Sequence, residues 1–150
     1  MSGMRGRDEI LEMLTAIDNR LFYLGREVAA YMIGGGNMAL RGLKGATKDI
    51  DLVIPAEKSR SSFLEALSTP PIPGFPIAFK LVETIFGETP VWIVEFPDGG
   101  RLDIFGERIA SEIMKRHGKN NPLYKMALKK YSLGEWNEGE RRNIRNANCY

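Results

Sequence analysis

Apolar side chains at Ile10, Leu11, Leu14, Ile17, Leu21, Phe22 and Leu24 recur at i, i+3/i+4 and i+7. That is the period of one helix face, and it predicts an amphipathic helix over residues 8–24. Acids come early in it (Asp8, Glu9, Glu12) and Arg20 comes late, the order a helix dipole favours, and Gly25 closes it. The period then changes. Val28–Ile33 is a short apolar, partly β-branched run ending in three glycines, which predicts a core strand. Asn37–Leu43 suits a short helix packed by Met38, Leu40 and Leu43. Residues 42–48 read as a polar, flexible loop, and Asp49–Ile54 as a second strand stopped by Pro55.

Further on, Glu57–Leu67 predicts a helix with Phe63, Leu64 and Leu67 on its buried face. Four prolines within residues 68–76 remove backbone donors and fix φ, so that stretch is a loop. Ala78–Phe86 and Val91–Phe96 are β-rich, and Pro97-Asp98-Gly99-Gly100 turns the chain into a strand at Arg101–Phe105. Glu107–Arg116 and Pro122–Tyr131 predict two last helices, the second capped by Asn121, and Glu138–Tyr150 is expected to be frayed or extended. A strand–helix–strand unit followed by one helix and three serial strands predicts an α+β fold, a mixed β-sheet flanked by helices. One domain is expected over residues 1–150: a core at 28–105, a helical C-terminal region at 106–134 and a polar tail at 135–150.

Composition narrows the classes. The chain has 150 residues, 43% apolar and 27% charged, as in an ordinary globular domain. No apolar run approaches the ~20 residues that span a bilayer, so no membrane is expected as partner. Arg5 and Arg7 are followed by acids rather than an apolar stretch, which argues against a secretory signal. A single cysteine, Cys149, cannot form an internal disulfide and fits a cytoplasmic location. With one histidine, His117, zinc sites of the His/Cys type are excluded and a Ser-His triad is disfavoured; His117 reads as a dipole partner at a helix end. No Gly-x-x-x-x-Gly-Lys-Ser/Thr motif occurs, which excludes a P-loop NTPase. The net charge of +2 hides an asymmetry: residues 115–150 carry nine Lys or Arg against three Glu. Such a region fits a polyphosphate or nucleic-acid partner, and fits a solvated helix face as well.

Chemistry enters with the carboxylates. Asp49 and Asp51 are two apart on a strand and leave the same face, with Ile50 and Leu52 on the other. Carboxylates roughly 6–7 Å apart along a strand repel unless cations sit between them, and such a pair suits Mg²⁺. Asp103, between Leu102 and Ile104 in a buried strand, is the candidate third carboxylate of a two-metal site, since a metal would relieve the cost of burying it. Gly34, Gly35 and Gly36 let backbone N–H groups approach phosphate oxygens closely, and Asn37 adds a polar contact. Lys44 and Lys48 could neutralise phosphate charge; Lys48, beside Asp49, reads equally as an exposed loop lysine. Thr47 reads as a cap or a phosphate contact. Trp92 reads as core, whereas Tyr124 and Tyr131, interleaved with Lys125, Lys129 and Lys130, are candidates for stacking a nucleotide or RNA base.

In order, these are a glycine turn, an Asp-x-Asp opening 14 positions beyond Gly35, and a later apolar-Asp-apolar strand. The pattern resembles the nucleotidyltransferase superfamily that shares the DNA polymerase β-type palm. Gly-Gly-x-x-x-Ala-Leu-x-Gly followed by Thr-Lys-Asp-Ile-Asp-Leu is most similar to the small prokaryotic abortive-infection and toxin–antitoxin nucleotidyltransferases, and the match covers residues 28–105. The resemblance implies Mg²⁺- or Mn²⁺-dependent transfer of an NMP from an NTP, such as ATP, to a hydroxyl of a protein or RNA acceptor. It implies Asp49 and Asp51 as ligands of both metals, and Asp103 as the ligand beside the acceptor and its general base. Gly34 and Gly35 would contact the triphosphate, although the third glycine leaves 34–35 and 35–36 both open as the family pair. A toxin–antitoxin partner and a homodimer that completes the acceptor groove are further expectations. The alternative is a catalytically silent binding module, antitoxin-like or RNA-binding, which the short region after Asp103 favours.

Overall fold

The computed structural model describes residues 3–68, 77–84, 87–117, 128–134 and 145–149. Helix α1 (Arg7–Leu24) leads into β1 (Val28–Ile33), α2 (Gly34–Leu40), β2 (Asp49–Val53) and α3 (Glu57–Ser68). Then follow β3 (Ile77–Thr84), β4 (Gly87–Glu95), β5 (Arg101–Phe105), α4 (Glu107–His117), β6 (Leu128–Leu133) and β7 (Arg145–Cys149). The fold is α+β, as the hydrophobic pattern predicts. Among the described residues, seven strands lie in the order β3-β4-β5-β2-β1-β6-β7. The sheet is mixed because β2 and β5 run parallel while the other neighbours are antiparallel.

Alternation along the strands decides what each face does. Met32, Ile50, Leu52, Leu102 and Ile104 point to one side, where α1 lays Ile10, Leu14, Ile17 and Leu21 and α3 lays Phe63, Ala66 and Leu67 upon them. Burying these side chains supplies most of the driving force, at about 25 cal/mol per Å² of apolar surface. Gly25, in the left-handed region at φ 69°, ends α1 by donating its N–H to Leu21 and Phe22 carbonyls, a conformation glycine takes without steric cost. The opposite face carries Tyr31, Ile33, Val53 and Phe105, which α4 covers with Ile109 and Ala110 at one end. At the other end of that face stand Asp49, Asp51, Arg101 and Asp103.

Two sequence expectations are corrected. Pro122–Tyr131 was expected as a helix within a helical region at 106–134, yet Leu128–Leu133 is a strand paired antiparallel to β1, Val28 with Leu133 through Ile33 with Leu128. Tyr131 and Leu133 are buried under the helices with Ser132 half-buried between them, so pairing with β1 overrides local helix propensity. The polar tail expected at 135–150 contains a strand, Arg145–Cys149, paired with β6. Asn121, Pro122 and Tyr124 lie outside the described residues, as does the proline-rich loop at 69–76.

Candidate active site

The two central parallel strands position the carboxylates. Their register sets Asp49 beside Arg101 and Asp51 beside Asp103. Residues level on neighbouring strands share a face at about 4.8 Å separation. Asp51 and Asp103 therefore form a pair across strands, closer than the Asp49–Asp51 pair along one strand. Asp49 stands at the mouth with 57% of its side chain exposed, while Asp103 is buried.

Arg101 threads between them. Its Nη2 donates to Asp103 Oδ2 at 2.9 Å, its Nε lies 2.9 Å from Asp103 Oδ1, and the same Nε is 3.9 Å from Asp49 Oδ1. The Nε–Oδ1 approach is an ion contact without hydrogen-bond geometry, because both atoms are buried and neither has a hydrogen bond. Asp51 has no hydrogen bond or ion pair to a described residue, and burial first, then the charges of Asp103 and Asp49, push its carboxyl up to about 7. Burial likewise raises Asp103, and the hydrogen bond and charge of Arg101 hold that rise in check.

The glycine turn lies against this cluster. Gly34 adopts φ +64°, and a Cβ there would come 3.1 Å from Asp51 Oδ2. A Cβ at Gly35 would strike Thr47 Oγ1 at 2.6 Å and lie 3.4 Å from Lys44 Nζ. Gly36 is buried and turned inward, where a Cβ would meet Met32 Sδ at 3.0 Å and Ile50 Cγ2 at 3.4 Å. This separates the three glycines: Gly34 faces the Asp51 carboxylate, Gly35 faces Thr47 and Lys44, and Gly36 serves the close approach of α2 to β1 and β2. Helix α2 begins at Gly34 itself, earlier than the Asn37 start the sequence suggested. Thr47 is buried and donates from Oγ1 to the Asp49 carbonyl at 3.1 Å, so it holds the start of β2. An arm from the N-terminus fastens the same loop: Arg5 and Thr47 exchange backbone hydrogen bonds of 2.9 and 3.0 Å, and Arg5 Nη2 reaches Asp98 Oδ2 in the β4–β5 turn at 3.0 Å.

Of the remaining sequence candidates, Asn37 is buried and accepts from Arg41 Nε at 3.1 Å, inside α2 rather than at the site surface. Lys48 is exposed, and its carbonyl accepts the Arg101 N–H at 2.9 Å. Tyr131, expected as a stacking platform, is instead 2% exposed in the core. Trp92 is half-buried against Phe79, with ring centroids 4.9 Å apart, and under Arg60. The sequence reading missed Arg101, although the period-2 rule that joins Asp49 to Asp51 also places Arg101 on the face of Asp103.

A divalent cation fits the donors present. The set is carboxylate oxygen only, which suits Mg²⁺ or Mn²⁺. Among the described residues, it includes Asp51, with no hydrogen bond or ion pair, and a buried Asp103 Oδ1 without a hydrogen bond. Among the described residues, no three His, Cys, Asp or Glu side chains converge as a ready metal group. The Arg101 guanidinium stands between Asp49 and Asp103.

No family model matches this chain, and no curated protein does. Solved structures do resemble it. A Thermotoga maritima protein described as a candidate nucleotidyltransferase is 20% identical over 68% of this chain and 58% of its own, with a TM-score of 0.47. A CCA-adding enzyme solved with ATP is 16% identical over 94% of this chain and 32% of its own, with a TM-score of 0.47. A nucleotidyltransferase-like antigen of Paracoccidioides brasiliensis is 18% identical over 81% of this chain and 55% of its own, with a TM-score of 0.40. The chain thus spans little more than half of the first of these and a third of the CCA-adding enzyme. At such identities the likeness concerns the fold, and the chemistry rests on the site's own geometry.

Proposed function

We propose that this chain is a divalent-metal-dependent nucleotidyltransferase that moves an NMP from an NTP to a hydroxyl of a protein or RNA acceptor and releases pyrophosphate. The observation that carries it is the level pairing of Asp51 and Asp103 on parallel strands, with the glycine turn closing over Asp51. Asp51 and Asp103, with Asp49 at the mouth, would hold Mg²⁺ or Mn²⁺. When bound, such ions neutralise the triphosphate and make the acceptor hydroxyl more acidic. The Gly34 backbone lies against Asp51 and that of Gly35 beside Thr47 and Lys44, and without side chains of their own their N–H groups can be approached closely by phosphate oxygens. Lys44, whose ammonium stands by Gly35, is better placed than Lys48 to meet their charge. Asp103 would orient the acceptor hydroxyl and take its proton at Oδ1, the oxygen without a hydrogen bond.

The second reading, a module that keeps the fold without turnover, is favoured by the guanidinium of Arg101 lodged among the carboxylates. One experiment separates them: thermal shift with each NTP, with and without MnCl₂ or MgCl₂, on wild type and Asp51→Asn, together with NTP turnover. A ligand of the folded state at 100 times its Kd stabilises by about 2.7 kcal/mol. A metal-dependent shift with at least one NTP is expected, and Asp51→Asn should lose both the shift and more than about 100-fold of turnover. Unchanged turnover in Asp51→Asn would sink the enzymatic reading.

A further inference from the structure

We propose that Arg101 occupies the metal's place on Asp103 in the unloaded site, and that divalent-cation uptake exchanges this guanidinium for the ion by swinging it across to Glu95. The inference rests on the nucleotidyltransferase reading of the carboxylates and assigns a residue that reading does not include.

Three observations carry it. First, the parallel register makes Arg101 the neighbour of Asp49 and puts it two residues before Asp103 on one face, within reach of both carboxylates, and its guanidinium lies against them. Second, the ion pair is half made: Nη2 to Oδ2 is a hydrogen bond, whereas Nε and Oδ1 sit 2.9 Å apart, buried, and satisfy neither atom. A buried donor and acceptor left unsatisfied keep the pair weaker than a two-pronged one. Third, Arg101 has somewhere to go. With 42% of its side chain exposed, it is not locked in. Glu95 lies directly opposite it across the antiparallel β4–β5 pair, exposed and without an ion pair to a described residue. Directly opposed residues on such strands have Cβ atoms about 5 Å apart, within reach of a guanidinium and a carboxylate.

Charge makes the exchange sensible. Three carboxylates on one face without any cation would repel each other, and Arg101 supplies one positive charge until an ion supplies two. In the loaded site the guanidinium next to a divalent cation would be repelled in turn, and Glu95 offers it an opposite charge. Arg101 is a positioning residue in this account, because it acts through Asp103.

Mn²⁺ binding, followed by the electron paramagnetic resonance of the free ion at pH 8, tests this without reference to turnover. Arg101→Gln should bind Mn²⁺ about tenfold more tightly than wild type, equivalent to ~1.4 kcal/mol. Arg101→Lys keeps the charge but loses the fork and should fall between the two. Glu95→Gln should weaken Mn²⁺ binding two- to threefold in the wild-type background and have no effect in Arg101→Gln, since the coupling exists only through the arginine. A purely structural arginine gives the reverse: its removal loosens the site and weakens Mn²⁺. Weakened or unchanged binding in Arg101→Gln, with wild-type binding intact, overturns the exchange. Absence of Mn²⁺ binding in every variant and in wild type removes the metal reading of the carboxylates and the exchange with it.

Discussion

Asp51 is where burial and charge conflict most. Its carboxyl is pushed up to about 7 by desolvation and by two like charges, so the folded protein holds a proton there that the unfolded chain releases near pH 4. Between those values the native state binds more protons than the unfolded one, so stability of the metal-free protein falls as pH rises through this window and levels above 7. Asp51→Asn should remove most of that slope and leave the part that the buried Asp103 carboxyl contributes. At pH 8 the variant should melt a few degrees higher than wild type, about 3 °C for each kcal/mol of relieved repulsion, and below pH 4 the two should coincide. A differential melt across pH 3–9 in chelator reads this directly; a wild-type curve flat from 4 to 7 would show that Asp51 is not desolvated. The same ionisation governs loading, because carboxylates ligate metal only when deprotonated. Stability without metal and affinity for metal therefore move in opposite directions over one pH range.

At the scale of elements, the turn between β1 and α2 has little slack. Gly35 is pressed against Thr47, which itself holds β2 through the Asp49 carbonyl. Gly35→Ala forces its methyl into Thr47 Oγ1, and should cost about 1–3 kcal/mol in urea unfolding. Thr47→Ala in the same chain should restore part of the loss, with a coupling of ~1 kcal/mol in the double-mutant cycle. Additive losses would mean that the two do not touch. The turn also shows what could be read beforehand. Strand β1 and the two carboxylates of β2 follow from period-2 alternation and glycine placement, and Asp103 follows from an acid set between apolar neighbours. Which glycines face the site did not follow, because it depends on Met32 and Ile50 filling the space beside Gly36. Arg101 escaped because an arginine in a strand gives no local sign of what lies next to it. Only the β2–β5 register, a pairing between distant segments, brings it to Asp49.

Across the whole molecule, the far side of β1 is paired by a strand, β6, that local propensity disguises. Leu128–Leu133 contains Lys129 and Lys130 and begins six residues after Pro122, which suits the first position of a helix, so sequence alone favours helix. Pairing with β1 and the burial of Tyr131 decide otherwise. Tyr131→Ala should therefore cost about 3 kcal/mol of stability, seen as a lowered urea midpoint, and leave any metal-dependent NTP shift of the folded protein in place. Loss of the shift with stability intact would return Tyr131 to the ligand. The helices over one face and the open carboxylates on the other were legible from pattern; the sheet's outer half was not, because its pairing partners lie so far apart in the chain.

That separation has a consequence in time. A chain emerging from the ribosome has all four residues of the carboxylate cluster once Phe105 is out, so β2 and β5 can align early. Strand β1, next to them, has no neighbour on its far side until Leu133 follows, and until then it presents a row of unpaired amides and carbonyls. The nascent protein thus passes through an interval with its chemistry assembled and its edge uncovered, when it is most open to pairing with a strand not its own.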